Sequence, residues 1–114
     1  MVNDIDLTFA ALAEPTRRRV VELLRERPLR AGEIAARLGM GRPAMSRHLR
    51  ALLSSGLVDV ELSADDGRAR RYRLRAERFV ALQGWLSELD GYWASQLESF
   101  REQAERGREG SGPA

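Results

Sequence analysis

The side chains able to do chemistry in this 114-residue chain are mostly guanidinium groups. Nineteen residues are lysine or arginine, and every one is arginine; cysteine is absent and histidine occurs once. A planar guanidinium grips phosphate oxygens or a guanine edge through two parallel hydrogen bonds, which a point ammonium cannot do. A chain-wide preference for arginine also follows from genome composition, so position carries more than number. Arg42, Ser46, Arg47, His48 and Arg50 fall close together, with Pro43 and Ala44 among them. Such a set makes hydrogen bonds and ion pairs rather than covalent intermediates. Without cysteine there is no disulfide, thiolate metal site or thiol redox chemistry. The lone histidine has no carboxylate, serine or cysteine partner at a triad spacing, and no phosphate loop is present. A transition-metal site of carboxylates alone would be unusual. The expectation is therefore no catalytic residue, no metal and no cofactor: a binding protein, not an enzyme.

The elements around these residues explain how they would be presented. Ala31, Ile34, Ala35 and Leu38 recur at the spacing of one helical face. Gly39-Met40-Gly41 interrupts them, since glycine accepts the backbone angles of a sharp turn. Pro43 suits the first turn of a following helix, where its missing N–H costs nothing. In that helix Met45, Leu49, Leu52 and Leu53 are expected to face inward, leaving Arg42, Ser46, Arg47 and Arg50 outside. Residues 30–56 thus read as a helix-turn-helix whose second helix would enter a DNA major groove. The expected DNA contacts on it are Arg42, Pro43, Ala44, Ser46, Arg47, His48 and Arg50. For His48 a second reading is open, a partly buried structural residue.

Upstream, Ile5 to Leu12 reads as a short apolar helix, and Glu14-Pro15 opens a second one. Val20, Val21, Leu23 and Leu24 are its buried side, and Pro28 is expected to end it. Arg17-Arg18-Arg19 lies in its first turns, where the helix dipole disfavours cations. The run is either a phosphate contact or a solvated face with an Arg18–Glu22 pair.

After Gly56 the period becomes two. Val58, Val60 and Leu62 alternate with Asp59 and Glu61, Asp65-Asp66-Gly67 is a hairpin turn, and Tyr72 and Leu74 alternate with Arg71, Arg73 and Arg75. Residues 57–75 would form a wing, with Arg68, Arg70 and Arg71 at its tip and flank as DNA contacts. Arg71, Arg73 and Arg75 can also pair across the hairpin with Asp59 and Glu61.

From Arg78 to Arg106 the chain reads as one long helix. Phe79, Leu82, Leu86, Leu89, Trp93 and Phe100 alternate in three- and four-residue steps, with Gln96 the one polar seam position; Trp85, Tyr92 and Leu97 widen the stripe. A small winged domain cannot cover this surface, so a second copy is expected there. Leu7, Leu82, Leu86, Leu89, Trp93 and Phe100 are the expected dimer contacts, and Gly84 and Gly91 would let helices approach closely. The fold class is mainly α with a small β-hairpin: a single winged helix-turn-helix domain over 1–106, then a flexible tail over 107–114. The N-terminus does not read as a signal peptide, and no window reaches the roughly 18 apolar residues of a membrane span. A cytoplasmic location without a membrane partner is expected.

Several strings carry a family resemblance: ALAEPTRRRVVELL, GEIAARLGMGRPAMSRHLRALLSSGLV and GRARRYRL. They resemble the ArsR family of bacterial winged-helix repressors over residues 7–75, most specifically in Pro43-Ala44-Met45-Ser46-Arg47-His48-Leu49. The Trp/Tyr-rich C-terminal helix is similar to that of a cysteine-free subgroup. The resemblance implies a homodimer that binds double-stranded DNA at a palindromic operator and represses transcription until an effector binds. Two departures qualify it. Gly41 stands where many members have a capping serine, and the absence of cysteine removes the founding members' metal sensing. An effector would be an unidentified small molecule, for instance an apolar one held between the aromatic helix and the domain; repression by occupancy alone fits equally. The alternative reading is a winged-helix protein-interaction module without DNA binding, which would favour acidic or apolar residues where Arg42, Arg47 and Arg50 stand.

Overall fold

The computed structural model describes residues 3–62, 67 and 69–110, the last two without their side chains. In chain order the elements are α1 (Asp4–Leu12), α2 (Pro15–Leu24), α3 (Ala31–Leu38), α4 (Arg42–Ser55), β1 (Val58–Leu62), β2 (Arg70–Leu74) and α5 (Ala76–Gly110). The chain divides between Leu82 and Gln83 into two compact units.

Local chemistry sets the helix boundaries of the first unit. Asn3 caps α1, its Oδ1 accepting the Asp6 N–H at 2.9 Å. Glu14 caps α2 by accepting the Arg17 N–H at 3.1 Å, with Pro15 in the first position. Glu33 opens α3 by accepting the Arg30 N–H at 3.1 Å. Gly39 closes α3 at φ +64° and Gly56 closes α4 at φ +82°, a left-handed conformation that costs other residues a Cβ clash. α2 stops at Leu24, short of the expected Pro28. Leu29 accounts for the early exit: its N–H and C=O both pair with Tyr72, at 3.1 and 2.8 Å, so the chain must leave the helix to reach the wing.

Val20 and Leu24 of α2, Ile34 and Ala35 of α3, and Met45, Leu49 and Leu52 of α4 meet in one core with Ala11, Leu29, Leu57 and Val58. Leu29, Ile34, Leu52 and Leu57 are completely buried, each contributing about 1.5–3 kcal/mol of transfer free energy. This shared core fixes the orientation of α4. Leu53, expected inside, is 37% exposed. It lies one residue, about 100° of helix, beyond Leu52, which takes it past the edge of the buried face.

β1 and β2 pair antiparallel in the register Val58↔Leu74, Asp59↔Arg73, Val60↔Tyr72, Glu61↔Arg71 and Leu62↔Arg70. At the hairpin end, Ser63 to Asp66 and Arg68 lie outside the described residues. In α5, Phe79 packs against the core, and Arg78 forms an ion pair with Asp4. Arg78 lies directly over Gly56: a Cβ built there would be 2.5 Å from Arg78 Nε.

Within the second unit, α5 continues as helix to Gly110. It therefore begins two residues before the expected 78 and extends four beyond the expected 106, taking in the start of the expected tail. An interior glycine costs a helix only about 1 kcal/mol, so Gly107 need not end it. Leu86, Leu89, Tyr92, Trp93, Leu97 and Phe100 are exposed, Phe100 by 72%. Gly84 and Gly91 do not serve that stripe. At 3.6 residues per turn they fall roughly 140–160° around the helix from Leu86, on the opposite side. Among the described residues no helix is long and apolar enough to cross a membrane.

Candidate nucleic-acid interface

The outward surface of α4 is a polar arc, broken near its C-terminal end by Leu53. Arg42, Pro43, Ser46, Arg47, Arg50 and Ser54 are exposed, while Met45, Leu49 and Leu52 hold the opposite side in the core. The helix contains no aspartate or glutamate, so its arginines have no acidic neighbour on their own element. Its N-terminus has no side-chain cap. Arg42 is held at the edge of the arc, with its guanidinium over Gly32 of α3: a Cβ on Gly32 would sit 2.7 Å from an Arg42 terminal nitrogen. This seat of Arg42 over Gly32 was missed in sequence, because the two residues meet only once α3 and α4 pack together.

Two members of the expected contact set lie off this arc. Ala44 is half-buried toward the domain. His48 is half-buried as well, with Nδ1 3.6 Å from Glu14 Oε2. It sits about 100° around the helix from Arg47, on the flank that meets α2. The same Glu14 carboxylate caps α2, so His48 lies between α4 and the start of α2, a position that favours the structural reading left open in the sequence over a DNA contact.

The arginine run of α2 resolves in a way neither sequence reading anticipated. The Arg18 guanidinium donates to the carbonyls of Leu12 at 2.7 Å and Ala13 at 3.3 Å. It thereby serves the open carbonyls at the end of α1, not Glu22. That partner was invisible in sequence because it depends on how the two helices turn against each other.

On the wing, Arg73 bridges Asp59 at 2.6 Å and Glu61 at 3.2 Å, and Arg75 lies 4.0 Å from Asp59 and 3.7 Å from Glu77. The bonds to Asp59, then its charge, raise the Arg73 pKa above the ordinary arginine value. These two arginines are committed to the hairpin. Arg70 is exposed opposite Leu62; Arg71 is half-buried opposite Glu61 and has no ion pair among the described residues. Of the expected wing contacts, Arg70 and Arg71 therefore remain available, and Arg68 lies outside the described residues.

A three-helix core with an arginine-lined second helix of a helix-turn-helix and an antiparallel hairpin after it defines a winged helix-turn-helix DNA-binding domain. Residues 14–60 match the family described as "Bacterial regulatory protein, arsR family". The chain is 37% identical over 95 residues to the HTH-type transcriptional regulator Rv2034 of Mycobacterium tuberculosis, spanning 83% of each chain. Among solved structures it is similar to an ArsR-like transcriptional regulator from Rhodococcus sp. RHA1, with a TM-score of 0.73, 29% identity and coverage of 89% of this chain and 92% of that one. It is also similar to the homodimeric winged helix-turn-helix DNA-binding domain of Mb0332 from Mycobacterium bovis, with a TM-score of 0.61, 26% identity and coverage of 77% and 79%. The chain belongs to the ArsR family of bacterial transcriptional regulators. This is a family of DNA-binding proteins rather than enzymes.

Proposed function

We propose that the protein is a homodimeric, sequence-specific repressor that straddles a palindromic operator and blocks transcription by occupancy. The observation that carries the reading is the acid-free polar arc of α4. Arg47 and Arg50 stand exposed on it without an ion pair among the described residues. A protein-docking face would offer apolar or acidic groups instead. Arg47 and Ser46 are the base-reading candidates; Arg42, Arg50, Arg70 and Arg71 suit phosphates on either side, as does the uncapped N-terminus of α4. Pro43 starts the helix at that edge. Arg68 belongs with the wing contacts by its position in sequence.

The dimer reading is supported by the exposed stripe of α5, with Leu86, Leu89, Trp93 and Phe100 as its seam; Leu7 and Leu82 of the first unit are the remaining expected contacts. The homodimeric state of the Mycobacterium bovis domain supports it further. Two copies would place their α4 helices one DNA turn apart, roughly 34 Å.

The direct test is fluorescence anisotropy with duplex DNA from upstream of the protein's own gene. Arg47→Ala is expected to weaken binding by about 1–3 kcal/mol and to relax sequence preference at one base step, as loss of a guanine contact does. Unchanged affinity and selectivity would remove Arg47 from the reading set. Failure of the unaltered protein to bind any duplex would favour the protein-interaction alternative.

A further inference from the structure

In the arginine run of α2, Arg18 serves α1 and Arg19 is exposed, while Arg17 turns its side chain partly inward. The Arg17 backbone N–H belongs to the Glu14 cap, yet its side-chain Nε is buried and has no hydrogen-bond partner among the described residues. A buried cationic donor without an acceptor is costly, and such an atom in a native fold calls for an explanation. Arg17 lines an open cavity of about 360 Å³ between α1, α2 and α4. Leu7, Ala10 and Ala11 supply one wall, and Ala51 and Ser54 the other. Ser55 also borders it, but its hydroxyl is already committed, donating to the Leu52 carbonyl at 2.8 Å and accepting the Leu57 N–H at 3.3 Å. The lining thus offers the outer nitrogens of a guanidinium with no ion pair among the described residues, methyl groups and no carboxylate. Its volume lies at the small end of the range for ligand sites, about 300–1,000 Å³.

We infer that this cavity binds a small aliphatic monocarboxylate. The carboxylate accepts from the Arg17 guanidinium, and the tail lies against Ala10, Ala11 and Ala51. A phosphate fits less well, because a dianion asks for several donors and the remaining walls are largely apolar. The binding site stands independently of the DNA-binding reading. Only its consequence rests on that reading: the ligand would touch the inner side of the helix that carries Arg47 and Arg50.

The test is a titration of the full chain with sodium hexanoate, followed by calorimetry and by amide chemical shifts. The expected result is saturable binding with shifts at Ala10, Ala51 and Ser54. Arg17→Met should lose about tenfold in affinity or more, as removal of a charged hydrogen bond does. Ala51→Leu, which fills the cavity and keeps Arg17, should abolish binding in a chain whose thermal melt is otherwise intact. 1-Hexanol should bind more weakly than hexanoate. The proposal is overturned by no saturable binding, by shifts elsewhere, or by equal affinity for Arg17→Met or for the alcohol. It is also overturned if inorganic phosphate outcompetes hexanoate. A response seen only after α5 is altered to keep the chain monomeric would show that a second copy fills the cavity, and would likewise overturn it.

Discussion

At the scale of single residues, arginine takes on several separate tasks in this chain. Arg18 closes the carbonyl end of α1, Arg73 ties the wing strands together, Arg78 spans Asp4 and Gly56, and Arg47 and Arg50 stand exposed on α4 without an ion pair among the described residues. The residue type was legible in sequence, and so was the exposed side of α4, because both follow from identity and helical period. The tasks of Arg18 and Arg78 were not, since their partners come from other elements. For His48 the sequence leaves two readings open, because its position beside Arg47 becomes a different flank only once wound into a helix. Glu33 yields a prediction in pH. The Arg30 backbone N–H that its carboxylate accepts holds its pKa below the ordinary glutamate value, with the neighbouring charge of Arg27 acting the same way. A carboxylate depressed in the folded state stabilises the fold above its unfolded pKa, and that contribution fades as pH falls through the folded one. The melting temperature should therefore fall for Glu33→Ala at neutral pH. The gap to the parent protein should then close on acidification below the usual carboxylate range, about pH 4.3. A gap that stays constant with pH would mean that the bond to Arg30 contributes nothing.

At the scale of elements, two glycines end helices in the same left-handed conformation but in different surroundings. Nothing lies within 4 Å of a Cβ placed on Gly39, whereas one placed on Gly56 meets the Arg78 guanidinium. Gly39→Ala should cost about 1–2 kcal/mol from backbone strain alone. Gly56→Ala should cost more, because it also pushes Arg78 away from its place beside Asp4. Urea unfolding of the two variants decides the matter, and equal losses would show that Arg78 moves aside freely. The order of helices and the two wing strands was readable from apolar periodicity and turn residues. The end of α2 was not, because a backbone bridge from Leu29 to the wing draws the chain out of the helix before Pro28 is reached. The bounds of α5 escaped because Ala76-Glu77 before its apolar stripe and Gly107-Arg108-Glu109-Gly110 after it carry no helical periodicity of their own.

At the scale of the whole molecule, the proposed function gives the α5 stripe and the α4 arc complementary tasks, assembly and DNA reading. Changing Leu86, Leu89 and Trp93 together to polar residues should convert the dimer to monomer in sedimentation velocity, and an intact dimer would move the interface elsewhere. Operator affinity should fall steeply with salt, each neutralised phosphate adding about −0.9 to the log–log slope. A flat response would remove Arg42, Arg50 and the wing arginines as phosphate contacts. The central claim, two coupled recognition helices on one duplex, is tested most directly by hydroxyl-radical footprinting on the operator. The expected pattern is two equivalent protected patches whose centres lie about 10–10.5 base pairs apart on one face of the DNA. A single protected patch, or two at a spacing that does not repeat with the helical turn, would contradict it.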